Sequence, residues 1–363
     1  MIVTIRSTGQ RSTGLHGLVL LPLLAIVIGF VFPLAASPQA ASAQPPSQVP
    51  LPRVGDSRTA HDSLADDVDE RPDAVECLTG LRWEPAEFLV EVRAAEAGRG
   101  DRLIVFPSPH PQGNAVHDGV AMEWYAAKDD QGHSLRAPAV VVVHESGRSM
   151  PIGRLIARGL AGMGLHAFMI QLPGYGNRRS ELTDRPELIL TSLRQGIADV
   201  RRAYDAVAVW PSVDPARIGV QGTSLGGFVT STVVGLDSAF DRAFILLAGG
   251  NLDQVVLNGK KDAAKIRQNL NSLGISDDQI RDLARPIEPL RLAHRISPDK
   301  TWLYNGMFDD VVPRESSYAL AKAARLPAEH HIEWPANHYS GIIFLPIVLQ
   351  QIADELQRTE TAQ

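Results

Sequence analysis

The sequence predicts an α/β fold in which a mostly parallel central sheet carries helices on both faces. From residue 139 onward, short apolar runs rich in β-branched residues alternate with amphipathic stretches of helical spacing, the pattern of a parallel sheet with crossover helices. Three short apolar segments divided by turn residues come before residue 139 and predict antiparallel lead-in strands. With 363 residues, 44% of them hydrophobic, the chain is long enough for a sizeable core.

The antiparallel strands are expected over residues 88–92, 101–106 and 120–125. Ala139–Val143 is a continuous apolar run, typical of a strand buried on both faces of a parallel sheet. Further strands are predicted over 166–171, 217–221, 244–248, 301–304 and 331–334, and helices over 152–163, 186–209, 228–234, 316–325 and 342–357. A polar, helical insert is expected at about 252–284.

The N-terminal 43 residues differ from the rest in composition. Two arginines precede an apolar run over 18–36, and Ala41-Ser42-Ala43 then offers a small-x-small cleavage site. Residues 1–43 are therefore predicted to be a signal peptide, which implies a periplasmic or secreted protein. An uncleaved membrane anchor is the alternative, because the run is nearly long enough to span a bilayer. Only in that case is a membrane expected as a partner.

Residues 44–75 are rich in Pro, Ser, Asp and Glu and lack apolar periodicity, so they are predicted to form a disordered linker. Residues 76–363 then form the folded domain. The single cysteine, Cys77, excludes an intrachain disulfide and is expected to be a small buried residue.

Charge and histidine spacing exclude several functions. The net charge of −6 and the absence of any stretch dense in Lys and Arg argue against a nucleic-acid partner. The histidines at 110, 117, 133 and 144 match no compact metal-ligand spacing. No metal and no cofactor are expected, and the sequence does not predict an oligomeric state.

The pentad Gly222-Thr223-Ser224-Leu225-Gly226 lies where a strand should give way to a helix. A small-x-Ser-x-small pattern at such a turn is a nucleophile elbow, because only small flanking residues let strand and helix approach. Ser224 is therefore the candidate nucleophile. A glycine-rich turn whose serine merely caps the helix is the alternative.

Two later loops supply partners for this serine. Asp309 and Asp310 follow the strand at 301–304, and His338 follows the strand at 331–334. Loops at the carboxyl ends of parallel strands meet at one edge of the sheet. The order Ser, Asp, His is that of the α/β-hydrolase fold, with His338 as the base that activates Ser224 and an aspartate orienting it. A surface-loop histidine is the alternative for His338.

These motifs resemble the α/β-hydrolase superfamily, in particular its dienelactone-hydrolase-like and prolyl-oligopeptidase-like members, over roughly residues 85–358. Gly306-Met307-Phe308-Asp309-Asp310-Val311-Val312-Pro313 is similar to the family's Gly-x-x-Asp-x-x-Val-Pro turn. The resemblance implies that Asp309 is the triad acid and that Asp310 is a solvated or turn-capping residue.

The resemblance also implies an oxyanion hole. The backbone N–H of Leu225 is one expected donor. The loop His144-Glu145-Ser146-Gly147 resembles the His-Glu-x-x-Gly type and supplies the second donor, with Ser146 favoured and Glu145 the alternative. In dienelactone-hydrolase-like proteins this glutamate lies beside a cysteine nucleophile and influences its ionisation. Here the nucleophile is serine, and a structural role for Glu145, in a salt bridge or at a helix N-terminus, is equally open.

Together these residues predict an exported serine hydrolase that cleaves a small-molecule carboxylic ester through an acyl-Ser224 intermediate, with residues 252–284 as a lid. A peptidase shares every catalytic residue. It is less expected because exopeptidases of this type usually carry a propeller domain, for which about 85 upstream residues do not suffice. An inactive hydrolase fold serving as a binding module is a rival, and the N-terminus alone leaves open a membrane-anchored structural protein.

Overall fold

The computed structural model describes residues 47–66, 68–180 and 188–358. The predicted signal peptide at 1–43 lies outside these residues. Within them, no helix combines the length and the apolar character that crossing a bilayer requires.

A ten-stranded sheet organises the described part of the chain. In chain order its strands are β1 (Ser57–His61), β2 (Glu87–Arg93), β3 (Arg102–Pro107), β4 (Gly119–Tyr125), β5 (Ala137–Val143), β6 (His166–Gln171), β7 (Val213–Thr223), β8 (Ala243–Leu246), β9 (Thr301–Gly306) and β10 (His331–Trp334). Their spatial order is β1-β2-β3-β4-β6-β5-β7-β8-β9-β10. The pairs from β1 to β4 and the β4–β6 pair are antiparallel, and the pairs from β6 to β10 are parallel. The predicted fold class, a mostly parallel sheet with antiparallel lead-in strands, is confirmed.

Ten α-helices connect or flank these strands in the described residues. They are α1 (Pro72–Leu81), α2 (Ala115–Asp118), α3 (Pro151–Gly162), α4 (Ile189–Ala208), α5 (Leu225–Leu236), α6 (Leu252–Asn258), α7 (Asp262–Ser272), α8 (Asp277–Ala284), α9 (Arg314–Ala323) and α10 (Leu345–Gln357). Helices α6, α7 and α8 form the predicted insert.

The core lies on both faces of the sheet. All seven residues of β5 are buried, and successive side chains point to opposite faces. Val141 and Val143 pack with residues of α4 and α5, whereas Val140 and Val142 pack with residues of α3 and α10. Burial on both faces explains why β5 reads as an unbroken apolar run.

The prediction of a disordered linker over 44–75 is wrong for much of the segment. Residues 57–61 form the edge strand β1, which pairs with β2, and α1 begins at residue 72, so the predicted boundary at 76 falls inside a helix. The segment buries few apolar side chains; only Ala60 of β1 is buried. Two of its acidic side chains are buried instead. The Asp62 carboxylate accepts hydrogen bonds from Arg202 of α4, and Asp69 pairs with Arg295 (3.0 Å). The prediction is wrong because a segment that is ordered by ion pairs has the same polar, acidic composition as a disordered segment.

Candidate active site

Ser224 lies at the sharp turn between β7 and α5. Its backbone has φ of 53° and ψ of −113°, a region that non-glycine residues rarely adopt. The Ser224 N–H donates to the carbonyl of Leu246 on the neighbouring strand β8 (2.8 Å), and its side chain is partly exposed. The turn therefore presents the hydroxyl at the carboxyl edge of the parallel strands.

Close packing explains the small residues around this turn. A Cβ on Gly222 would collide with the backbone of Gly226, and a Cβ on Gly226 would collide with the carbonyl oxygens of Val143 and His144 at the end of β5. The helix thus approaches both β7 and β5 more closely than any side chain at these two positions would allow.

Ser224, His338 and Asp309 lie in one hydrogen-bonded row. The Ser224 Oγ is 3.0 Å from His338 Nε2, and His338 Nδ1 is 2.7 Å from Asp309 Oδ2. Because the carboxylate accepts only, Nδ1 carries the proton, and Nε2 accepts the hydrogen bond of the serine hydroxyl. The side chains of His338 and Asp309 are 8% and 3% exposed, so little water competes for these contacts.

The acid loop after β9 fixes Asp309 rather than Asp310 in this row. The second oxygen of Asp309 accepts the backbone N–H groups of Val311 and Val312, each at 2.9 Å. Asp310 points toward the insert and pairs with Lys261 (3.0 Å). The adjacent Lys261 ammonium lowers the pKa of Asp310 below its ordinary value. Asp309 thus contacts His338, whereas its neighbour Asp310 contacts Lys261 of the insert.

The loop after β5 is held by hydrogen bonds on both sides. The buried His144 ring contacts the carbonyl of Glu145 through Nδ1 (2.6 Å) and accepts the Leu172 N–H at Nε2 (3.1 Å). Burial lowers the pKa of His144 to about 4, so the ring is neutral and Nδ1 is the donor. The hydroxyl of Tyr175 donates to the carbonyl of Ser146 (3.2 Å), and burial raises the pKa of this tyrosine to about 12.

Glu145 lies at a helix N-terminus, which was one of the positions expected for it. Its carboxylate accepts the N–H groups of Ile152 (3.1 Å) and Gly153 (3.0 Å) in the first turn of α3. These donors are among those that a helix leaves unpaired at its start. The contacts of the carboxylate are therefore those of a capping residue.

Leu225 and Ser146 are the residues expected to supply the oxyanion donors. Leu225 is the first residue of α5, so its N–H has no carbonyl partner within the helix. Ser146 is exposed in the loop that follows β5, and β5 pairs with the elbow strand β7.

The four histidines considered for a metal site have separate partners. His110 contacts the Leu81 carbonyl, His117 contacts Ser180, His133 contacts Asp129, and His144 orders the loop after β5. In the ranges described by the structure, no group of three or more His, Cys, Asp or Glu side chains is arranged to hold a metal.

Sequence reasoning missed two features of the site. The ordering role of His144 has no local motif beyond its place after β5. The contacts of Tyr339 with Lys261 and Asp262 of the insert were also not anticipated, although an aromatic residue directly after the candidate base was a visible signal.

The fold and the site define the class of protein as a serine hydrolase with the α/β-hydrolase fold. Residues 158–341 match the model of the prolyl oligopeptidase family, which is half of the chain. The chain therefore belongs to the prolyl oligopeptidase family. No curated protein sequence is significantly similar to it.

Three solved structures illustrate the likeness in fold. Acetyl xylan esterase 1 from Thermoanaerobacterium sp. JW/SL YS485 is 16% identical, with 79% of this chain and 93% of that chain covered and a TM-score of 0.56. A puromycin-hydrolyzing peptidase from Mycobacterium tuberculosis is 17% identical, with 74% and 45% covered and a TM-score of 0.51. The 2,6-dihydroxy-pseudo-oxynicotine hydrolase is 16% identical, with 66% and 65% covered and a TM-score of 0.50. The chain thus spans less than two thirds of the latter two proteins.

Proposed function

We propose that this protein hydrolyses carboxylic esters of small molecules through an acyl-Ser224 intermediate. The observation that carries the proposal is the row of hydrogen bonds from Ser224 Oγ to His338 Nε2 (3.0 Å) and from His338 Nδ1 to Asp309 (2.7 Å). A serine hydroxyl is a weak nucleophile at neutral pH, and this arrangement places a base within reach of its proton.

The proposed reaction has two halves. Ser224 Oγ attacks the ester carbonyl while His338 Nε2 takes the hydroxyl proton, and Asp309 stabilises the imidazolium that forms. The tetrahedral intermediate collapses, the bond to the alcohol oxygen breaks, and His338 returns the proton to the departing alcohol. A water molecule then repeats the sequence on the acyl-enzyme, which releases the acid and restores the Ser224 hydroxyl.

The oxyanion is proposed to bind the N–H of Leu225 and a second donor from the loop after β5. Ser146 is favoured over Glu145 for that second donor. The carbonyl of Glu145 faces the His144 ring, and in a trans peptide the following N–H points the opposite way. The Ser146 N–H therefore points away from the buried histidine. Preorganised donors of this kind are often the largest single term in acyl transfer.

The share of each structural neighbour's length that this chain covers supports an ester rather than a peptide substrate. The match to the acetyl xylan esterase extends over 93% of that enzyme, and a second acetyl xylan esterase, from Paenibacillus sp. R4, is covered over 97%. The puromycin-hydrolyzing peptidase is covered over only 45%.

Helices α6 to α8 are proposed to shape the substrate pocket as a lid.

A peptidase of the same mechanism is the second candidate. The observation that favours it is the family itself, whose model covers residues 158–341. Both candidates use Ser224, Asp309 and His338 in the same roles, so only the leaving group distinguishes them.

A substrate panel tests the proposal. Purified protein is assayed with p-nitrophenyl esters of increasing acyl length and, in parallel, with aminoacyl p-nitroanilides, and Ser224→Ala is the control. We expect turnover of the esters that is lost in Ser224→Ala. Faster turnover of the anilides than of the esters would favour the peptidase. Absence of turnover of both substrate classes by the wild type would indicate an inactive fold that serves as a binding module. Equal, measurable rates in wild type and Ser224→Ala would contradict the role of Ser224.

We further propose that the protein is exported and that residues 1–43 are its cleaved signal peptide. The basis is the composition of this segment, with Ala41-Ser42-Ala43 as the cleavage site. Intact-mass analysis of protein secreted by a bacterial host should find an N-terminus at Gln44. Recovery of the full-length chain from the membrane fraction by detergent alone would contradict the proposal and support an anchor.

A further inference from the structure

The turn between α6 and α7 contacts both loops that carry the partners of Ser224. The N–H of Lys260 donates to the carbonyl of Asp310 (2.7 Å). A Cβ on Gly259 would collide with the carbonyl of Val311, so the two backbones lie against each other here. The insert is thus joined to the loop that carries Asp309. The next two residues of the insert, Lys261 and Asp262, extend the contact to the loop that carries His338 (the histidine loop).

Lys261 bridges the two loops with one side chain. Its Nζ pairs with Asp310 (3.0 Å) and lies 5.1 Å from the ring centre of Tyr339, a distance at which a cation is attracted to an aromatic face. The backbone of Lys261 has φ of 53° and ψ of −110°. Since a non-glycine residue is unfavourable in this conformation, the surrounding contacts must stabilise it.

Asp262 completes the contact with the histidine loop. Its carboxylate accepts the Tyr339 hydroxyl (2.9 Å) and pairs with Lys265 (2.9 Å). The hydrogen bond from Lys265, together with that from Tyr339, lowers the pKa of Asp262 below its ordinary value. The carboxylate is therefore charged at neutral pH and is the acceptor of the Tyr339 hydroxyl.

The residues that the insert contacts are the direct neighbours of the proposed catalytic groups. Asp310 follows Asp309, and Tyr339 follows His338, with the rings of Tyr339 and His338 5.6 Å apart in an edge-on arrangement. A displacement of Asp310 or Tyr339 moves the adjacent side chain through the backbone. Small displacements matter, because a shift of about 1 Å can cost about a hundredfold in rate.

We propose that Lys261 and Asp262 are positioning residues, which couple the helical insert to the Asp309 and His338 loops and keep these two side chains aligned with Ser224. This inference rests on the proposed function of the site. Loss of the contact lowers the reactivity of Ser224 without removing any group that touches the substrate.

The test measures the reactivity of Ser224 in three variants. Lys261→Met removes the charge at similar length, Lys261→Arg keeps it, and Lys265→Met is the matched control. Lys265 pairs with Asp262 as well, but its side chain is 72% exposed, and within the described residues it forms no hydrogen bond or ion pair with Tyr339 or Asp310. The readouts are the rate of phosphonylation by a fluorophosphonate, followed by intact mass, and kcat and KM for p-nitrophenyl acetate.

We expect Lys261→Met to lower the phosphonylation rate and kcat about tenfold while KM changes less than about twofold, the pattern of an interaction that acts on the transition state. Lys261→Arg should recover most of the loss, and Lys265→Met should match wild type. Equal rates in Lys261→Met and wild type would overturn the inference, as would a loss that Lys261→Arg does not recover. If Lys261→Met fails to fold, Tyr339→Phe, which deletes only the hydroxyl bonded to Asp262, takes its place with the same expectation.

The proposed function and the positioning role of Lys261 and Asp262 predict different outcomes when they fail. If wild-type protein is folded and Ser224 is not phosphonylated, the proposed function fails. If wild type is phosphonylated and the Lys261 variants react equally fast, only the positioning role fails.

Discussion

Asp309→Asn tests how the site fixes the tautomer of His338. In the wild type one oxygen of Asp309 faces His338 Nδ1 (2.7 Å), and the other accepts two backbone N–H groups at 2.9 Å. In asparagine only the oxygen can accept those two donors, so the NH₂ group must face the histidine. Nδ1 then becomes the acceptor, Nε2 carries the proton, and the base that Ser224 requires is lost.

The size of the effect follows from the alternative orientation. Turning the amide to restore the productive tautomer leaves two backbone donors without an acceptor, at about 1–3 kcal/mol each. A cost of about 2–6 kcal/mol corresponds to a loss of about 30-fold to about 3 × 10⁴-fold in kcat, at 1.36 kcal/mol per factor of ten.

The assay is hydrolysis of p-nitrophenyl acetate at pH 7.5, with the free energy of unfolding measured by urea denaturation. We expect the free energy of unfolding to change by less than about 1 kcal/mol, since the two backbone hydrogen bonds remain. Asp310→Asn, at the neighbouring position, should cost less than about tenfold in kcat, because it affects only the contact with Lys261. A loss in Asp309→Asn smaller than that in Asp310→Asn would refute the assignment of the acid.

Three further predictions concern stability. Gly226→Ala should lower the free energy of unfolding by about 1–3 kcal/mol, because its Cβ would collide with the carbonyl oxygens of Val143 and His144. Gly162→Ala, where a Cβ meets no atom within 4 Å, should not lower it, and equal urea midpoints for the two variants would contradict the steric explanation of the elbow. Arg202→Met leaves the buried Asp62 carboxylate, 0% exposed, without its cation and should lower the free energy of unfolding by about 3–5 kcal/mol. A decrease below about 1 kcal/mol in urea denaturation would show that this ion pair does not anchor the segment that contains β1. Burial lowers the pKa of His144 from 6.5 to about 4, so the unfolded chain binds more protons than the folded chain between these pH values, and the free energy of unfolding falls by about 2–3 kcal/mol between pH 7.5 and 4.5. In His144→Gln this fall should be smaller by about 2–3 kcal/mol. Parallel curves of unfolding free energy against pH for the two proteins would contradict the prediction.

The sequence predicted the parallel half of the fold well because a strand that is buried on both faces is a continuous run of apolar residues. The runs that became β5, β6 and β10 are bounded in the structure close to where the sequence places them. The edge strand β1 could not be predicted, because a single buried residue, Ala60, leaves no alternation to detect. Its position depends on pairing with β2 and on ion pairs to residues more than a hundred positions away.

The candidate triad could be located from the sequence because each member follows a strand that periodicity identifies. The choice between Asp309 and Asp310 needed the family motif, since adjacent carboxylates are equivalent in a linear pattern. Their difference is structural: two backbone N–H groups face Asp309, and one lysine faces Asp310.

The function of Glu145 was the least predictable part of the site. Its carboxylate can lie beside a nucleophile or at the start of a helix, and both positions follow the same strand. The structure places it on the N–H groups of Ile152 and Gly153. Which position the side chain takes depends on where α3 begins, and helix boundaries are poorly defined by sequence.

The central claim, that Ser224 is an activated nucleophile, is tested most directly by covalent labelling. Folded protein is treated with a fluorophosphonate at pH 7.5, digested, and mapped by mass spectrometry, with urea-unfolded protein and His338→Ala as controls. We predict one phosphonyl adduct on Ser224 in the folded wild type and none on Ser224 in either control. Absence of the adduct from Ser224 in folded protein, or equal labelling in His338→Ala, would contradict the account.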